Sequence, residues 1–399
     1  MTAAANPARL PLTAPDHQCP IFDKLLPIVD PEGLPGVEFL EDVQTILRSK
    51  QLTNGARVRE FESAAAEYLG VPHCVAVSSC TSGLLLVLQS LHLQGDVIIP
   101  SFTFHATAHA IAWNGLKPVF ADCHPQTFCI DTQALRLQLS QKTAAILAVH
   151  IFGNPAPVRE LEEIANEKNI PLIFDAAHAF GSRSNGKPVG GFGTAEVFSF
   201  SPTKLVVAGE GGLVTTRDAQ LAQKLRAARN YGDAGNYDPE IRGVNARMSD
   251  LHAALALRSL QGVDARIARR NEIRRRYEKN LSGIPGLTFQ QVAAGDLSAF
   301  KDFSILIDGE TFGLSRESLL AALRRHNIDA RKYFSPPVHQ QTLYCQLWDG
   351  RPLPVTEMIA SSVVSLPIYS SLPDEAIDKV CYAISSAHQQ GKSWGPHQK

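Results

Sequence analysis

Between residues 74 and 216 the chain alternates short apolar runs with helical patterns, and this alternation constrains the fold more than any other feature. β-Branched or apolar stretches occur at 74–77, 96–99, 118–121, 144–150, 171–174, 196–200 and 212–216. Helical spacing lies between several of them. At 158–168, Val158, Leu161, Ile164 and Ala165 share one face, with Asn154 as a candidate cap. Strands separated by helices predict βαβ units, hence an α/β fold with a mainly parallel seven-stranded sheet sandwiched by helices. In such sheets ligands sit at the carboxyl ends of the strands.

The flanks complete the plan. Residues 1–35 are rich in Pro and Ala and read as an arm that is loose or lies on another surface. A large domain is expected over 36–263, opening with helices near 37–49 and 58–69, and a smaller α+β domain over 264–399. The second domain begins with an arginine-rich helix (Arg266, Arg269, Arg270, Arg274, Arg275, Arg276), read as a solvated surface. Lysine plus arginine (38) nearly balances aspartate plus glutamate (39), so no global field favours nucleic acid or an anionic membrane. Any anion must be held by a local site. No apolar run suits a membrane-spanning helix, the start lacks a signal-peptide core, and the seven cysteines show no zinc-like spacing. Reduced thiols in a cytoplasmic protein without a metal site are expected.

Four segments at strand ends carry the chemistry. Phe198 to Lys204 reads Phe-Ser-Phe-Ser-Pro-Thr-Lys, a strand halted by a Ser-Pro turn and followed by a lysine, with the glycine-rich stretch 208–212 beyond it. Asp175 closes an apolar strand: it is either a turn or helix cap, or a carboxylate for a protonated pyridine nitrogen. His178, three residues on, is either a core histidine or a partner of Asp175 or of a cofactor's phenolic oxygen. The turn Ser78 to Gly83 precedes an apolar helix at 84–91, so it is either plain capping or an anion site at a helix start. Phe104, just past the strand end at Pro100, is a core residue or a plate for a planar ring. Together these supply an amine nucleophile, a carboxylate, an aromatic face and a phosphate turn. That combination is what pyridoxal 5′-phosphate requires.

On these residues the chain resembles the DegT/StrS-type sugar aminotransferases of fold type I, from about Gly33 to the last helix. The matching text includes 78–84, 100–104, 149–154, 174–181, 198–204, 209–212, 243–249 and 331–339. The resemblance implies that Lys204 forms the Schiff base, Asp175 pairs with the pyridine nitrogen, Phe104 stacks on the ring and His178 lies near O3′. It implies a phosphate held by the Cys80 and Thr81 backbone and the Ser201 hydroxyl, with Ser199 also in the cofactor set. Asn245 would reach in from a second subunit, making a homodimer with shared active sites. Tyr333, His339 and Arg247 are implied substrate residues. Arg229 and Arg331 are further candidates for an anionic group, with surface salt bridges the other reading. Many members have glycine where Cys80 stands, which questions the local backbone. The implied reaction moves an amino group from glutamate to a nucleotide-activated keto sugar, most like C4 of a dTDP-4-keto-6-deoxyhexose. A cyclitol or 3-keto sugar, or a dehydratase or lyase on the same fold, are the alternatives. A non-enzymatic regulator fits poorly, because Lys204 and Asp175 are both present.

Overall fold

A computed structural model of the chain describes residues 19–391 apart from 32, 35, 234 and 236, with the backbone continuing to Ser393. The seven apolar runs form one sheet. Its strands are β1 (His73–Val77), β2 (Asp96–Pro100), β3 (Lys117–Ala121), β4 (Thr143–Val149) and β5 (Leu172–Asp175). After a small hairpin of β6 (Arg183–Ser184) and β7 (Lys187–Pro188), β8 (Ala195–Ser199) and β9 (Gly212–Thr216) complete it. The order is β1-β9-β8-β5-β4-β2-β3. Only β9 runs against its neighbours; the pairs from β8 through β5, β4 and β2 to β3 are parallel.

Alternation along each strand feeds two cores, as a pleated sheet buried on both faces demands. In β2, Val97 and Ile99 enter one core and Ile98 the other; in β5, Ile173 and Phe174 divide in the same way. Each such side chain contributes about 1.5–3 kcal/mol by leaving water. The helix Cys80–Ser90 lies so close to the sheet that a Cβ on Gly83 would meet Val197 Cγ1 at 2.7 Å. That helix begins at Cys80, four residues earlier than its apolar run suggested, because the hydroxyl of Ser79 caps it.

The helix Val158–Lys168 forms as expected, but Asn154 does not cap it. Pro157 precedes the helix without a side-chain cap, and Asn154 Nδ2 donates to the carbonyls of Thr127 and Gln291. Beyond the sheet, β10 (Leu287–Phe289), β11 (Phe303–Ile307) and β12 (Val363–Leu366) form a small antiparallel sheet. Its core joins Phe303 and Ile305 to Ile273 and Tyr277 from the helix Val263–Leu281 and to Ile377 and Val380 from Asp374–Ser393.

The arginine-rich helix is not simply a solvated face. Arg276 bonds Asp374 and Asp378 of the last helix, and Arg269 bonds Asp374. Arg270 is wholly buried and donates to the carbonyls of Phe300 and Lys301. Residues 1–18 of the expected arm lie outside the described residues. The later part lies on the small sheet's region: Leu26 exchanges backbone bonds with Asn327 and Asp329, and Ile21, Phe22 and Leu26 pack on that core. No helix among the described residues is long and apolar enough to cross a membrane.

Candidate active site

The carboxyl ends of β1, β2, β4, β5 and β8, with the start of the reversed β9, open on one cavity of about 340 Å³. Lys204 lies in the connection between β8 and β9. Phe200 N–H donates to Gly211, and Ala208 N–H donates to Phe200, which close that loop. The Lys204 N–H donates to Ser201 at 3.0 Å, fixing the turn that presents the amine. Gly212 starts β9 beside the turn after β1, where a Cβ would lie 2.5 Å from the Ser79 carbonyl carbon. Only glycine permits that approach.

Asp175 ends β5 buried, facing the same cavity. Its Oδ2 accepts from Thr107 Oγ1 at 2.7 Å, and its Oδ1 from Ala177 N–H at 3.1 Å. Cys80 Sγ adds a weaker contact at 3.8 Å. Among the described residues no cation lies within ion-pair distance of Asp175. Burial therefore pushes its pKa up, against the lowering effect of these donors and of the more distant Lys204. A carboxylate so placed has room and need for one positive partner, which a protonated pyridine nitrogen supplies.

The other walls fit the rest of that cofactor. The helix N-terminus at Cys80 and Thr81 offers N–H groups with no carbonyl behind them, next to Ser199 and Ser201. Cys80 has a helical backbone there, outside the left-handed region, so a side chain costs this turn nothing and the thiol points inward. Phe104 lines the cavity and presents a half-exposed ring. His178 Nδ1 accepts from the Phe152 N–H at 3.2 Å rather than meeting Asp175. Burial, then Lys204 and Lys301, hold His178 well below its usual pKa. The ring is neutral, and the accepting Nδ1 leaves the hydrogen on Nε2.

Across residues 35–385 the chain matches one family, the DegT/DnrJ/EryC1/StrS aminotransferases. The chain belongs to that family. It is 34% identical to the dTDP-4-amino-4,6-dideoxy-D-glucose transaminase of Escherichia coli, over 90% of this chain and 97% of the relative. It is 33% identical to a UDP-N-acetyl-3-dehydro-alpha-D-glucosamine 3-aminotransferase of Acidithiobacillus ferrooxidans, over 87% and 93%. A crystal structure of DesI with its TDP-sugar product superposes with a TM-score of 0.89 at 36% identity, covering 95% of this chain and 97% of that one. The chain is thus a transaminase, and its cofactor is pyridoxal 5′-phosphate.

The aminotransferase brings together Lys204, Asp175, His178, Phe104, Cys80, Thr81, Ser199, Ser201 and Tyr333 around one cavity. Other expected residues lie outside it. His339 is buried between Ser101 and Glu357. Arg247 bonds Asn230 and lies over the Tyr231 ring. Arg229 is held by Glu62 and the Ala76 carbonyl, and Arg331 by Asp329. Asn245 is exposed, outside its own chain's cavity.

Sequence reasoning missed Thr107 and Lys301. Thr107 sits one helical turn after Phe104, a spacing that does place its hydroxyl at the same strand edge. Thr107→Val should lower kcat about 10-fold while leaving the melting temperature little changed, since it removes one hydrogen bond to a charged group. Steady-state kinetics beside thermal melts check this.

Proposed function

We propose that this aminotransferase moves the amino group of glutamate to a nucleotide-linked keto-deoxysugar, at C4 of a dTDP-4-keto-6-deoxyhexose. The observation that carries the chemistry is the pairing of Lys204 with an otherwise cation-free Asp175 across one cavity. The sugar is drawn from relatives: those of E. coli and Shigella dysenteriae are both named dTDP-4-amino-4,6-dideoxy-D-glucose transaminases. The A. ferrooxidans relative, named for a 3-amino position, supports a 3-keto sugar as the second reading.

When bound, the cofactor supplies an electron sink that lets a proton leave the carbon bearing the amine. Residues of this chain do the rest. Asp175 holds a proton on the ring nitrogen, and Thr107, Ala177 and Cys80 orient the carboxylate. His178 Nε2–H is the donor for the phenolic oxygen. Phe104 covers the ring, and the start of the helix Cys80–Ser90 with the Ser199 and Ser201 hydroxyls receives the phosphate. With the cofactor bound, Lys204 Nζ would be the general base that takes the donor's Cα proton.

Burial, reinforced by Lys301, brings the Lys204 amine down to about 8. The amine loses its proton as pH rises through that value, and only the neutral form attacks an aldehyde. Capture of added cofactor by the apoprotein should therefore accelerate with pH, about tenfold per unit below 8, and level off above it. Stopped-flow absorbance across a pH series reads the midpoint; one near ordinary lysine would contradict this environment.

The working unit in this reading is a homodimer with shared sites, in a reducing cytoplasm suited to the seven unpaired cysteines. Asn245 lies exposed outside its own cavity, and Val37, Leu40 and Leu47 leave an apolar stripe on the first helix. Mixing Lys204→Ala with Asn245→Ala chains should regain activity that neither shows alone; no recovery points to unshared sites.

The decisive experiment adds glutamate alone to the holoenzyme. The visible band should shift and 2-oxoglutarate appear, and dTDP-4-keto-6-deoxyglucose should then take up the amine. A persistent band with no keto acid would overturn the reading.

A further inference from the structure

Lys301 is a second buried lysine in the cavity, and beyond its effect on the Lys204 amine the chemistry above gives it no role. It precedes β11 and enters the site from the small-sheet region rather than from the large sheet. Its position is over-determined. The Lys301 N–H donates to the Phe152 carbonyl at 3.0 Å, and Arg270 donates to the carbonyls of Phe300 and Lys301. Ser182 Oγ accepts from Ala299 N–H two residues earlier. A lysine merely packed against a protein does not need this scaffold.

Its charge is kept inside by a partner and a ring. Nζ donates to Asp302 Oδ1 at 2.8 Å and lies 5.4 Å from the centroid of Tyr333, itself a wall of the cavity. An ammonium has three donors, and Asp302 uses one. The same charge acts on both Lys204 and His178, lowering the pKa of each. Lys301 therefore stands near the groups that surround the reacting carbon.

We propose that Lys301 anchors the carboxylate that the amino donor carries beside its reacting carbon, and so selects an amino acid as donor. The proposal rests on the transaminase reading above. Three observations favour this role. Among the described residues, Lys204 and Lys301 are the lysines that line the cavity and no arginine does; Arg229, Arg247 and Arg331 are bonded elsewhere. A donor amino acid bears its carboxylate one bond from the carbon that Lys204 deprotonates, so the anchor has to lie close to Lys204. Finally, the Lys301 amine is buried against Asp302 and the Tyr333 ring, a setting suited to a small carboxylate.

The variants are Lys301→Gln and the double variant Lys301→Gln with Asp302→Asn. The second leaves no unpaired buried carboxylate, so it tests the role even if the single variant folds poorly. Both are prepared as holoenzyme. Glutarate, a dicarboxylate without an amine, is titrated calorimetrically, which reads binding without turnover. Single-turnover reactions then give the half-saturation for glutamate and, from the aminated enzyme, for the keto sugar. Loss of a charge-assisted contact should weaken glutarate and glutamate about 30-fold. The keto-sugar half-saturation should stay within about threefold. Unchanged glutarate binding, an equal loss in the sugar half-reaction, or a loss seen with Arg247→Gln but not Lys301→Gln would each overturn the proposal. If wild-type enzyme releases 2-oxoglutarate from glutamate and Lys301→Gln binds as wild type, only the anchor is wrong. If wild type releases none, the transaminase reading falls and this inference with it.

Discussion

Lys204→Ala is expected to abolish the visible band of lysine-bound cofactor and to reduce turnover by at least about 10⁴-fold, since it removes nucleophile and base together. The fold should survive. Among the described residues the Lys204 side chain has no hydrogen-bond partner, and its loop is closed by backbone bonds of Phe200, Lys204 and Ala208. Removing an amine whose charged form is disfavoured by burial should not weaken the apoprotein. Absorbance near the cofactor band, single-turnover rates and a thermal melt separate these effects. A variant that keeps the band, or turns over within tenfold of wild type, would mean that another amine carries the cofactor. Lys301 is the residue to test next, because it shares the cavity.

Asp175→Asn should be nearly as damaging but by a different route. The amide is the same size; its one oxygen can accept from the Ala177 N–H, and its NH2 can donate to the Thr107 hydroxyl, which must turn to accept. The negative charge is lost, however, so nothing holds the proton on the ring nitrogen. Leaving a buried cation without its counter-charge costs about 3–5 kcal/mol, which corresponds to roughly 10³-fold in the proton-transfer step. The cofactor should still be bound through Lys204, so the visible band persists while the glutamate half-reaction slows. Asp175→Glu should recover little, since an added methylene displaces the carboxylate from Thr107. A half-reaction rate for Asp175→Asn within tenfold of wild type would remove Asp175 from the electronic role.

Much of this site was legible in the text of the chain, and the reason is topological. Strand ends of a parallel sheet gather at one edge, so Ser78–Gly83, Phe104, Asp175 and Lys204 could be placed together from the alternation of apolar runs alone. Thr107 escaped because a threonine early in an apolar helix looks like any other; its meaning comes from Asp175, which reaches it only after β2, β4 and β5 pair. Lys301 escaped for a stronger reason. A Lys-Asp pair before a strand reads as solvated surface, and its burial depends on Arg270 from a helix that itself looked exposed. The charge partner, Asp302, is the next residue; what local pattern cannot show is that the pair is buried. Asn154 shows the converse: its type suited a cap, but two distant carbonyls claimed its amide.

The reversed strand β9 has a consequence for how the site comes into being. Because β8 and β9 are antiparallel neighbours joined by the lysine's own loop, that loop can close through contacts local in sequence. Its counterparts arrive by longer routes: Thr107 and Asp175 are separated by 68 residues, and Cys80 and Asp175 by 95. Local pairings form ahead of distant ones because less chain must be ordered to reach them. During refolding the amine should therefore be presented by its hairpin before the carboxylate opposite is in place. Capture of the cofactor then marks the closing of the sheet and not its beginning.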